Sequence, residues 1–342
     1  MRLPAEWEPH DATWLAWPHE ATDWPGKFAA IPWVYAEIVR RLTAVEKVCI
    51  LVANSAAELK ARRVLRKCAA DLSQVEFFLC PTDRSWTRDY CPLFVHADSG
   101  QLIATDWIFN GWAKYDNHHL DNSIPELVAD QLQMARIETG VVLEGGSIDA
   151  NGAGTLLTTE ECLLSPVQAR NPHLNRDQLE HVFATHLGIS RTIWLGQGIA
   201  GDDTHGHVDD IARFVNENTI VAAVEEDRSE ANYAPLQDNL HRLRRTGFHI
   251  AELPMPSPVY FDGQRLPASY ANFYIANGLV LVPTFNDPKD RVALDILAGL
   301  FPARQIIGMA ATDLVLGLGT LHCMTLQQPA PALHSSSVRD NV

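Results

Sequence analysis

The stretch GLGTLHCMTLQQP, residues 317–329, places a cysteine beside a histidine, between a glycine-containing turn and a short apolar segment. Such a thiol is either a small buried hydrophobe or a nucleophile. If the segment is a strand, the alternation of side chains puts His322 and Cys323 on opposite faces. His322 is then badly placed to activate the thiol, and Cys323 needs a base from elsewhere in the chain.

The segment HGHVDDIARFV, residues 205–215, can supply that base. As a strand, it would place His205, His207 and Asp209 on one face and Asp210 on the other. An imidazole of this kind is the usual activator of a nucleophilic thiol. The segment is also similar to the H-x-H-x-D-H signature of zinc hydrolases, although Asp210 stands in the place of the last histidine. A zinc metallohydrolase is therefore a distant alternative.

Several carboxylates lie in surroundings rich in glycine, tryptophan or histidine and away from solvated helix faces. They are Asp83, Asp89, Glu144 and Asp209. Clustered carboxylates with one thiol and one imidazole suit a cationic substrate. A planar guanidinium presents five N–H donors in a fixed fork that matches carboxylates, and Trp86 could stack on its flat face.

Polar clusters that run directly into short apolar segments recur along the chain. They are TRDYCPLFV (87–95), EGGSIDANGAGTLLTT (144–159), HGHVDDIARFV (205–215), ASYANFYIANGLVLVP (268–283) and GTLHCMTL (319–326). They begin at intervals of roughly 50 to 65 residues, which indicates a repeat architecture such as a ring of αβ units. Equivalent strand ends would then converge on one axis and bring distant residues together. Ordinary alternating α/β structure with coincidental spacing is the alternative.

Hydrophobic periodicity predicts the elements between these clusters. VEKVCILVAN (45–54) is typical of a buried strand, and helices are predicted for SAAELKARRVLRKCAADL (55–72), DNSIPELVADQLQMA (121–135), RDQLEHVFATHLG (176–188) and DRVALDILAGLFP (290–302). Gly188 is the expected C-terminal cap of its helix.

Composition limits the class of protein. The chain has 342 residues, of which 46% are hydrophobic, and a net charge of −15, which argues against nucleic acid as a partner. No apolar run is long enough for a membrane span, and the N-terminal residues do not form a signal peptide. We therefore expect a cytoplasmic protein whose six cysteines are free thiols.

A resemblance to a known family covers about residues 4–329. The stretches PAEWEPHDATWLAWPH, DRSWTRDYCPLF, FNGWAKY, LEGGSIDANGAGTLLTTEECLL, GDDTHGHVDDIARFV, ASYANFYIANGLVLVPTF and GLGTLHCMTLQQP resemble the agmatine deiminase family of the guanidine-modifying pentein superfamily. The resemblance implies an α/β fold of five ββαβ units with pseudo-five-fold symmetry around a central active site. It also implies one catalytic domain over residues 1–329. The polar C-terminal sequence itself predicts a flexible tail over 330–342.

The resemblance implies a role for each matching residue. Cys323 is the expected nucleophile and His207 the general acid/base, and Asp89 and Asp209 clamp the guanidinium. Glu144 completes the group of acids. The expected substrate contacts are Trp86, Asp83, Asp203 and Trp112.

Some positions depart from the family pattern. The turn before the cysteine lacks the usual run of three glycines, Cys91 replaces a usual glycine, and His205 replaces a common asparagine. Because the catalytic set is intact, these departures concern fine specificity.

The implied function is hydrolysis of agmatine to N-carbamoylputrescine and ammonia through a covalent thiouronium on cysteine, in polyamine metabolism. The enzyme would be a hydrolase of linear amidine C–N bonds that needs no metal or organic cofactor and binds neither nucleic acid nor membranes. Homo-oligomerisation stays open. A peptidylarginine or free-arginine deiminase is the alternative, although free arginine needs a cation for its α-carboxylate and the acidic motifs offer no obvious one.

Overall fold

The computed structural model describes residues 1–332, which form strands, helices and short 3-10 turns. The strands are β1 (His10–Ala16), β2 (Lys47–Val52), β3 (Val75–Leu79), β4 (Leu93–His96), β5 (Leu102–Ile108), β6 (Arg136–Val142), β7 (Asp149–Ala150), β8 (Thr155–Thr159), β9 (Arg191–Leu195), β10 (Ala212–Asn216), β11 (Thr219–Val224), β12 (His249–Pro254), β13 (Val259–Phe261), β14 (Gln264–Leu266), β15 (Tyr274–Ala276), β16 (Leu279–Thr284), β17 (Gln305–Ala310) and β18 (Leu326–Pro329). The helices are α1 (Ile31–Leu42), α2 (Ser55–Lys67), α3 (Thr87–Tyr90), α4 (His119–Asn122), α5 (Ile124–Gln131), α6 (Glu160–Leu164), α7 (Arg176–Leu187), α8 (Tyr233–Arg244) and α9 (Lys289–Leu300).

Most of the strands belong to sheets with one repeated order. The sheets β4-β5-β6, β7-β8-β9, β10-β11-β12 and β15-β16-β17 each begin with an antiparallel pair and continue with a parallel pair. Helices connect the parallel strands, as parallel neighbours require a crossover. In the sheet β18-β1-β2-β3, the strand β18 pairs antiparallel with β1, and β1 pairs parallel with β2. The expectation of five ββαβ units is confirmed.

The predicted elements agree with the structure in most places. The strand expected in residues 45–54 is β2, and the helices expected in residues 55–72, 176–188 and 290–302 are α2, α7 and α9. Gly188 caps α7 with a φ of 70°, and its N–H donates to the Phe183 carbonyl. The helix expected over 121–135 is shorter in the structure, because α5 begins only at Ile124, ends at Gln131 and is preceded by the separate short helix α4. Pro125 has no N–H for the preceding turn and lies in the first turn of α5.

Two catalytic segments predicted as strands are turns in the structure. Residues Val208–Asp210 form a 3-10 turn, and β10 begins only at Ala212. Residues 321–324 form a turn before β18. The alternation argument is therefore wrong for both segments, and it gives no information on the faces of His205, Asp210 or His322.

The sequence also led to predictions about the cysteines, membrane spans, domain organisation and C-terminal tail. All six cysteines are free, as expected. In the described part of the chain, no helix combines the length and hydrophobicity needed to cross a bilayer. The single domain over 1–329 stays a prediction. The expected flexible tail over 330–342 falls mainly on residues 333–342, which lie outside the described residues.

Glu6 connects several units through one buried carboxylate. Its Oε2 accepts a hydrogen bond from Nε2 of His322 at 2.8 Å and lies 3.2 Å from Nη2 of Arg88 and 3.0 Å from Nη2 of Arg213. Its Oε1 accepts from the Ile275 N–H at 2.8 Å. Burial alone would raise the pKa of Glu6, but the neighbouring Arg213, His322 and Arg88 hold it well below its usual range. The carboxylate is therefore charged and shared by segments from four sheets.

Replacing Glu6 by glutamine should destabilise the fold strongly. Glu6→Gln leaves Arg88 and Arg213 without this counter-charge, and breaking a buried pair costs about 3–5 kcal/mol. The matched control is Glu37→Gln, because Glu37 pairs with Arg40 on the half-exposed face of α1, where a pair contributes about 1 kcal/mol or less. Urea unfolding of both variants checks this. Equal losses would show that the Glu6 cluster does not stabilise the fold.

Candidate active site

Cys323 lies in the turn before β18 and lines a cavity of about 460 Å³. Trp86, Asp89, Trp112 and Asp203 line the same cavity. The turn passes close to the indole of Trp86. A Cβ on Gly319 would lie 2.9 Å from that indole and 3.1 Å from Cβ of Cys323, so the approach requires glycine.

The predicted acid and base residues converge around Gly146. A Cβ on this glycine would lie 2.6 Å from Nδ1 of His207, 2.8 Å from Oδ1 of Asp89 and 3.1 Å from Oδ2 of Asp209. Asp209 in turn lies within 3.6 Å of the Cys323 sulfur, which donates to its Oδ2. Side chains from three sequence clusters therefore lie around one small volume, which only a residue without a side chain leaves open.

Asp89 and Glu144 flank the two nitrogens of the His207 ring. Oδ1 of Asp89 lies 3.8 Å from Nδ1, and Oε2 of Glu144 lies 3.7 Å from Nε2. Asp89 is held by the indole N–H of Trp112 at 2.8 Å and by the Gly146 N–H at 3.0 Å. The imidazole is thus placed between two oriented carboxylates.

Glu144 is anchored by an arginine that the sequence analysis missed. Nε of Arg170 donates to Oε1 of Glu144 at 2.9 Å, and both side chains are buried. Burial alone would raise the pKa of Glu144, but Arg170 and His207 lower it to about 2. Arg170 lies in the loop after α6, where the local sequence carries no periodic signal.

His322 belongs to the site, which corrects the expectation from strand alternation. Its Nδ1 lies 2.7 Å from Oδ2 of Asp209, and its Nε2 lies 2.8 Å from Oε2 of Glu6. Because both partners are carboxylate oxygens, both ring nitrogens can donate only when the imidazole is protonated. Burial would raise the pKa of Asp209, but His322 lowers it. His322 therefore acts on the site through Asp209 and not directly on the thiol.

The protonation states follow from the surrounding charges. Burial alone would lower the pKa of His207, but Asp89, Cys162 and Glu144 raise it well above its usual value. Burial and the negative charges of Asp209, Asp210 and Asp89 raise the pKa of the Cys323 thiol well above its usual value. Without a ligand, the arrangement favours an imidazolium and a protonated thiol.

Asp89 has the least compensated charge of the catalytic acids. Burial raises its pKa and the carboxylates of Asp209 and Glu144 add to this effect, so that the pKa is about 6 despite the opposing effect of His207. Several buried polar atoms nearby have no hydrogen-bond partner within the described chain, namely Oδ1 of Asp209, Oε2 of Glu144 and both ring nitrogens of His207. Burying such atoms without partners is costly. The two carboxylate oxygens can accept from a ligand that presents several N–H donors, whereas the ring nitrogens of protonated His207 can only donate.

The expected substrate contacts are only partly brought together. Trp86, Trp112 and Asp203 line the cavity, whereas Asp83 does not. The Asp83 carboxylate instead accepts from the Leu120 N–H at 2.8 Å, at the start of α4. Asp203 pairs with the ammonium of Lys114 and accepts from the Tyr115 hydroxyl at 2.5 Å.

The cavity also contains a cation that the sequence analysis did not find. Arg84 lines it, which corrects the expectation that no cation lies near the site. Its Nη1 is paired with Oδ1 of Asp23 at 2.5 Å. The lining carboxylates of Asp23, Asp89, Asp203 and Asp262 outnumber this one paired guanidinium, so the cavity remains acidic.

Two of the departures from the family pattern, His205 and the turn at Leu318, lie at positions of unusual backbone geometry. His205 has a φ of 64° and Leu318 has a φ of 66°, in the left-handed region that favours glycine and asparagine. Nε2 of His205 lies 3.2 Å from Oγ of Ser165, and His205 does not line the cavity. Cys91 is buried beyond the end of α3. The catalytic contacts do not involve His205 or Cys91.

One group of side chains within residues 1–332 could hold a metal ion. Glu144, Cys162 and His207 offer ligand atoms that all lie within 4.8 Å of one another. This group contains only His207 from the HGHVDD segment, so it does not reproduce the zinc signature considered above. The expectation of an enzyme without a metal stays a prediction.

Comparisons with known proteins agree over nearly the whole chain. The family model described as Porphyromonas-type peptidyl-arginine deiminase matches residues 2–329. An agmatine deiminase of Ectopseudomonas mendocina (strain ymp) is 33% identical over 361 aligned positions, which cover 97% of this chain and 96% of the relative. A structure of C. jejuni agmatine deiminase with substrate bound has a TM-score of 0.90 at 33% identity, with 96% of each chain covered. A structure of the Enterococcus faecalis agmatine deiminase has a TM-score of 0.90 at 28% identity and covers 97% of this chain and 96% of its own.

The charge around Cys323 predicts how its thiol reacts. Asp209→Asn removes a negative charge that raises the pKa of Cys323, so alkylation by iodoacetamide near pH 7 should become roughly three- to tenfold faster. Peptide mass mapping of residue 323 over time measures the rate. Asp106→Asn, remote from the cavity, is the control and should not change it. A slower reaction in Asp209→Asn would contradict the assigned electrostatics.

Proposed function

Because this chain belongs to the family of Porphyromonas-type peptidyl-arginine deiminases, we propose that it deiminates a guanidinium compound and that the compound is agmatine. The products are N-carbamoylputrescine and ammonia. The observation that carries this proposal is the placement of Asp89, His207 and Asp209 around one point, with the Cys323 sulfur 3.6 Å from Asp209. The similarity to agmatine deiminases over nearly the whole chain supports the choice of substrate.

The guanidinium is bound by the buried acids. Asp89 and Asp209 accept its N–H donors, and the free Oε2 of Glu144 accepts a further one. Paired carboxylates keep the guanidinium protonated, which keeps its central carbon electrophilic. The indole of Trp86 is available to stack on the planar group.

The first half of the reaction forms a covalent adduct. The Cys323 thiolate adds to the guanidinium carbon and gives a neutral tetrahedral adduct. The His207 imidazolium then gives its proton to one amino group, the C–N bond breaks, and ammonia leaves. A cationic S-alkylthiouronium remains on Cys323. The raised pKa of His207 suits this step, because the proton must be present before the ammonia departs.

The second half of the reaction hydrolyses the adduct. Neutral His207 takes a proton from water, and the resulting hydroxide adds to the thiouronium carbon. The second tetrahedral adduct then collapses, the C–S bond breaks, and the hydroxyl proton returns with the sulfur as the Cys323 thiol. His207 is again protonated, so both residues regain their starting states.

The positive charge of the substrate opposes the effect of the neighbouring acids on the pKa of the Cys323 thiol. Negative neighbours raise the pKa of Cys323 in the free site, so little thiolate is present. A bound guanidinium places a positive charge among the same carboxylates and lowers the pKa of the thiol again. The thiol proton passes to solvent as the substrate binds, and the released ammonia later takes up one proton.

The acidic cavity favours agmatine over free arginine. Agmatine ends in an ammonium, for which Asp262 provides a lining carboxylate, whereas the lining carboxylate of Asp203 is already paired with Lys114. Arginine would bring its α-carboxylate into the same acidic surroundings, where Arg84 is already paired with Asp23.

We further propose a cytoplasmic location, one catalytic domain and a role in polyamine metabolism. Cell fractionation tests the location, and activity after exhaustive chelation tests the expected independence from metal.

The nucleophile can be tested by deletion of its sulfur. Cys323→Ala should lose at least about a thousandfold in kcat, because no other group is placed to form the adduct. Cys68→Ala, which removes a half-buried thiol at the end of α2, is the matched control and should keep its activity. Ammonia release from agmatine measures both. Retention of a large part of the activity in Cys323→Ala would contradict covalent catalysis by this residue.

The choice of substrate predicts strong discrimination. The ratio of kcat/KM for agmatine to that for arginine should be at least about a hundredfold, because an unpaired buried charge costs several kcal/mol at about 1.4 kcal/mol per tenfold. Assays with agmatine, arginine and a peptidylarginine under the same conditions measure it. Comparable activity with arginine that is lost in Arg84→Gln would instead assign Arg84 as the partner of the α-carboxylate.

A further inference from the structure

We propose that Asn272 is a catalytic residue of this enzyme, whose side-chain amide donates a hydrogen bond to the Cys323 sulfur and stabilises it as a thiolate. This inference deepens the proposed deiminase function and rests on it for its kinetic part. Asn272 lies in the recurrent cluster ASYANFY, just before β15. Each of the other four recurrent clusters contributes an expected catalytic residue, and this one had none.

The contact itself is short and buried. Nδ2 of Asn272 lies 3.1 Å from Sγ of Cys323, and Asn272 is 1% exposed. Within residues 1–332, no other side chain donates a hydrogen bond to this sulfur. Asn272 therefore touches the reacting atom from a side that water does not reach.

The orientation of the amide is fixed by its other partners. Oδ1 of Asn272 accepts from the His322 backbone N–H at 3.0 Å and from Oγ1 of Thr320 at 2.7 Å. A backbone N–H can only donate, so the oxygen end must face it, and the NH₂ end must face the sulfur. The NH₂ group also donates to Oδ1 of Asp210 at 3.0 Å. All of the hydrogen-bonding groups of the amide are in use.

In this orientation, the uncharged amide of Asn272 donates a hydrogen bond to a sulfur that also lies beside acidic side chains. Asp209 accepts from the thiol at 3.6 Å and therefore favours the protonated form. An N–H donor favours the anion, because hydrogen bonds to a charged group are stronger than those to a neutral one. Asn272 neither gives nor takes a proton. It favours the thiolate when the sulfur attacks, and it stabilises the negative charge that develops on the sulfur while the C–S bond of the second tetrahedral adduct breaks.

The same contacts also hold the nucleophile in place. Thr320, His322 and Cys323 belong to one turn, and Asn272 binds each of them. Through Asp210, the amide links this turn to the 3-10 turn that carries Asp209. Loss of the amide should therefore reduce kcat more than it raises KM, because orientation of the sulfur matters most during bond formation.

The test is the pH profile of Cys323 alkylation together with the kinetics on agmatine. In Asn272→Ala, we expect the alkylation midpoint to rise by about one pH unit and kcat to fall by roughly ten- to a hundredfold, with KM changed less than about threefold. In Asn272→Asp, which keeps the shape but replaces the donor by a carboxylate, both effects should be larger.

The matched control is Asn239→Ala. Asn239 is equally buried, and its amide joins the Gly196 N–H and the Gln197 carbonyl away from the cavity. This variant should lose stability without changing the alkylation midpoint of Cys323 or kcat. A merely structural role for Asn272 predicts the same result for both alanine variants.

The outcomes separate this inference from the proposed function. An unchanged alkylation midpoint and kcat in folded Asn272→Ala overturn the inference. If Asn272→Ala does not fold, Thr320→Val is the deciding variant, because it removes one of the two donors to Oδ1 of Asn272. It should raise the alkylation midpoint and lower kcat by smaller amounts than expected for Asn272→Ala. An unchanged midpoint and kcat in Thr320→Val overturn the inference. If wild-type enzyme does not act on agmatine, the proposed substrate fails, while the alkylation profiles still decide the role of Asn272.

Discussion

Three buried carboxylates around one imidazole are the constraint on which the site depends. Asp89, Glu144 and Asp209 are almost fully buried, and such charges need counter-charges. Glu144 has Arg170 and Asp209 has His322, whereas Asp89 has only His207 and a pKa raised to about 6. Asp89 is therefore the acid whose charge the protein compensates least. A bound cationic substrate adds positive charge beside this carboxylate. The same charge lowers the pKa of the Cys323 thiol, so that the thiolate can form.

The fold brings residues from remote parts of the chain into contact with the buried carboxylates of the site. Glu6, close to the N-terminus, holds the outer nitrogen of His322, and His322 holds Asp209. Arg170 reaches Glu144 from the loop after α6. Arg170 lies in the same β7-β8-β9 unit as Glu144, whereas Glu6 and His322 come from a different unit than Asp209. The position of Asp209 therefore depends on correct assembly of the sheets. Stability and catalysis are consequently coupled at Glu6.

The sequence predicted the unit order and the reacting groups, and the structure brings Asp89, His207, Asp209 and Cys323 together. What the sequence could not predict lies in turns. Strand alternation excluded His322, but the segment is a turn, and the residue lies beside Asp209. Arg170, Arg84 and Asn272 carry no periodic signal and act only through contacts between distant segments. Asp83 was expected to contact the substrate because it lies near a tryptophan in the sequence. Its carboxylate instead accepts from a backbone N–H at the start of α4, and a carboxylate in such a segment can either bind a ligand or cap a helix.

The covalent intermediate on Cys323 is the central claim, and intact-mass spectrometry after acid quench tests it most directly. Wild-type enzyme mixed with excess agmatine and quenched during turnover should carry an added mass equal to agmatine less ammonia, and peptide mapping should place it on Cys323. Slowing the hydrolysis with His207→Ala should prolong the life of any adduct that forms, because water then lacks its base. Ammonia release by the wild-type enzyme without any adduct, or with an adduct on another residue, would contradict the account.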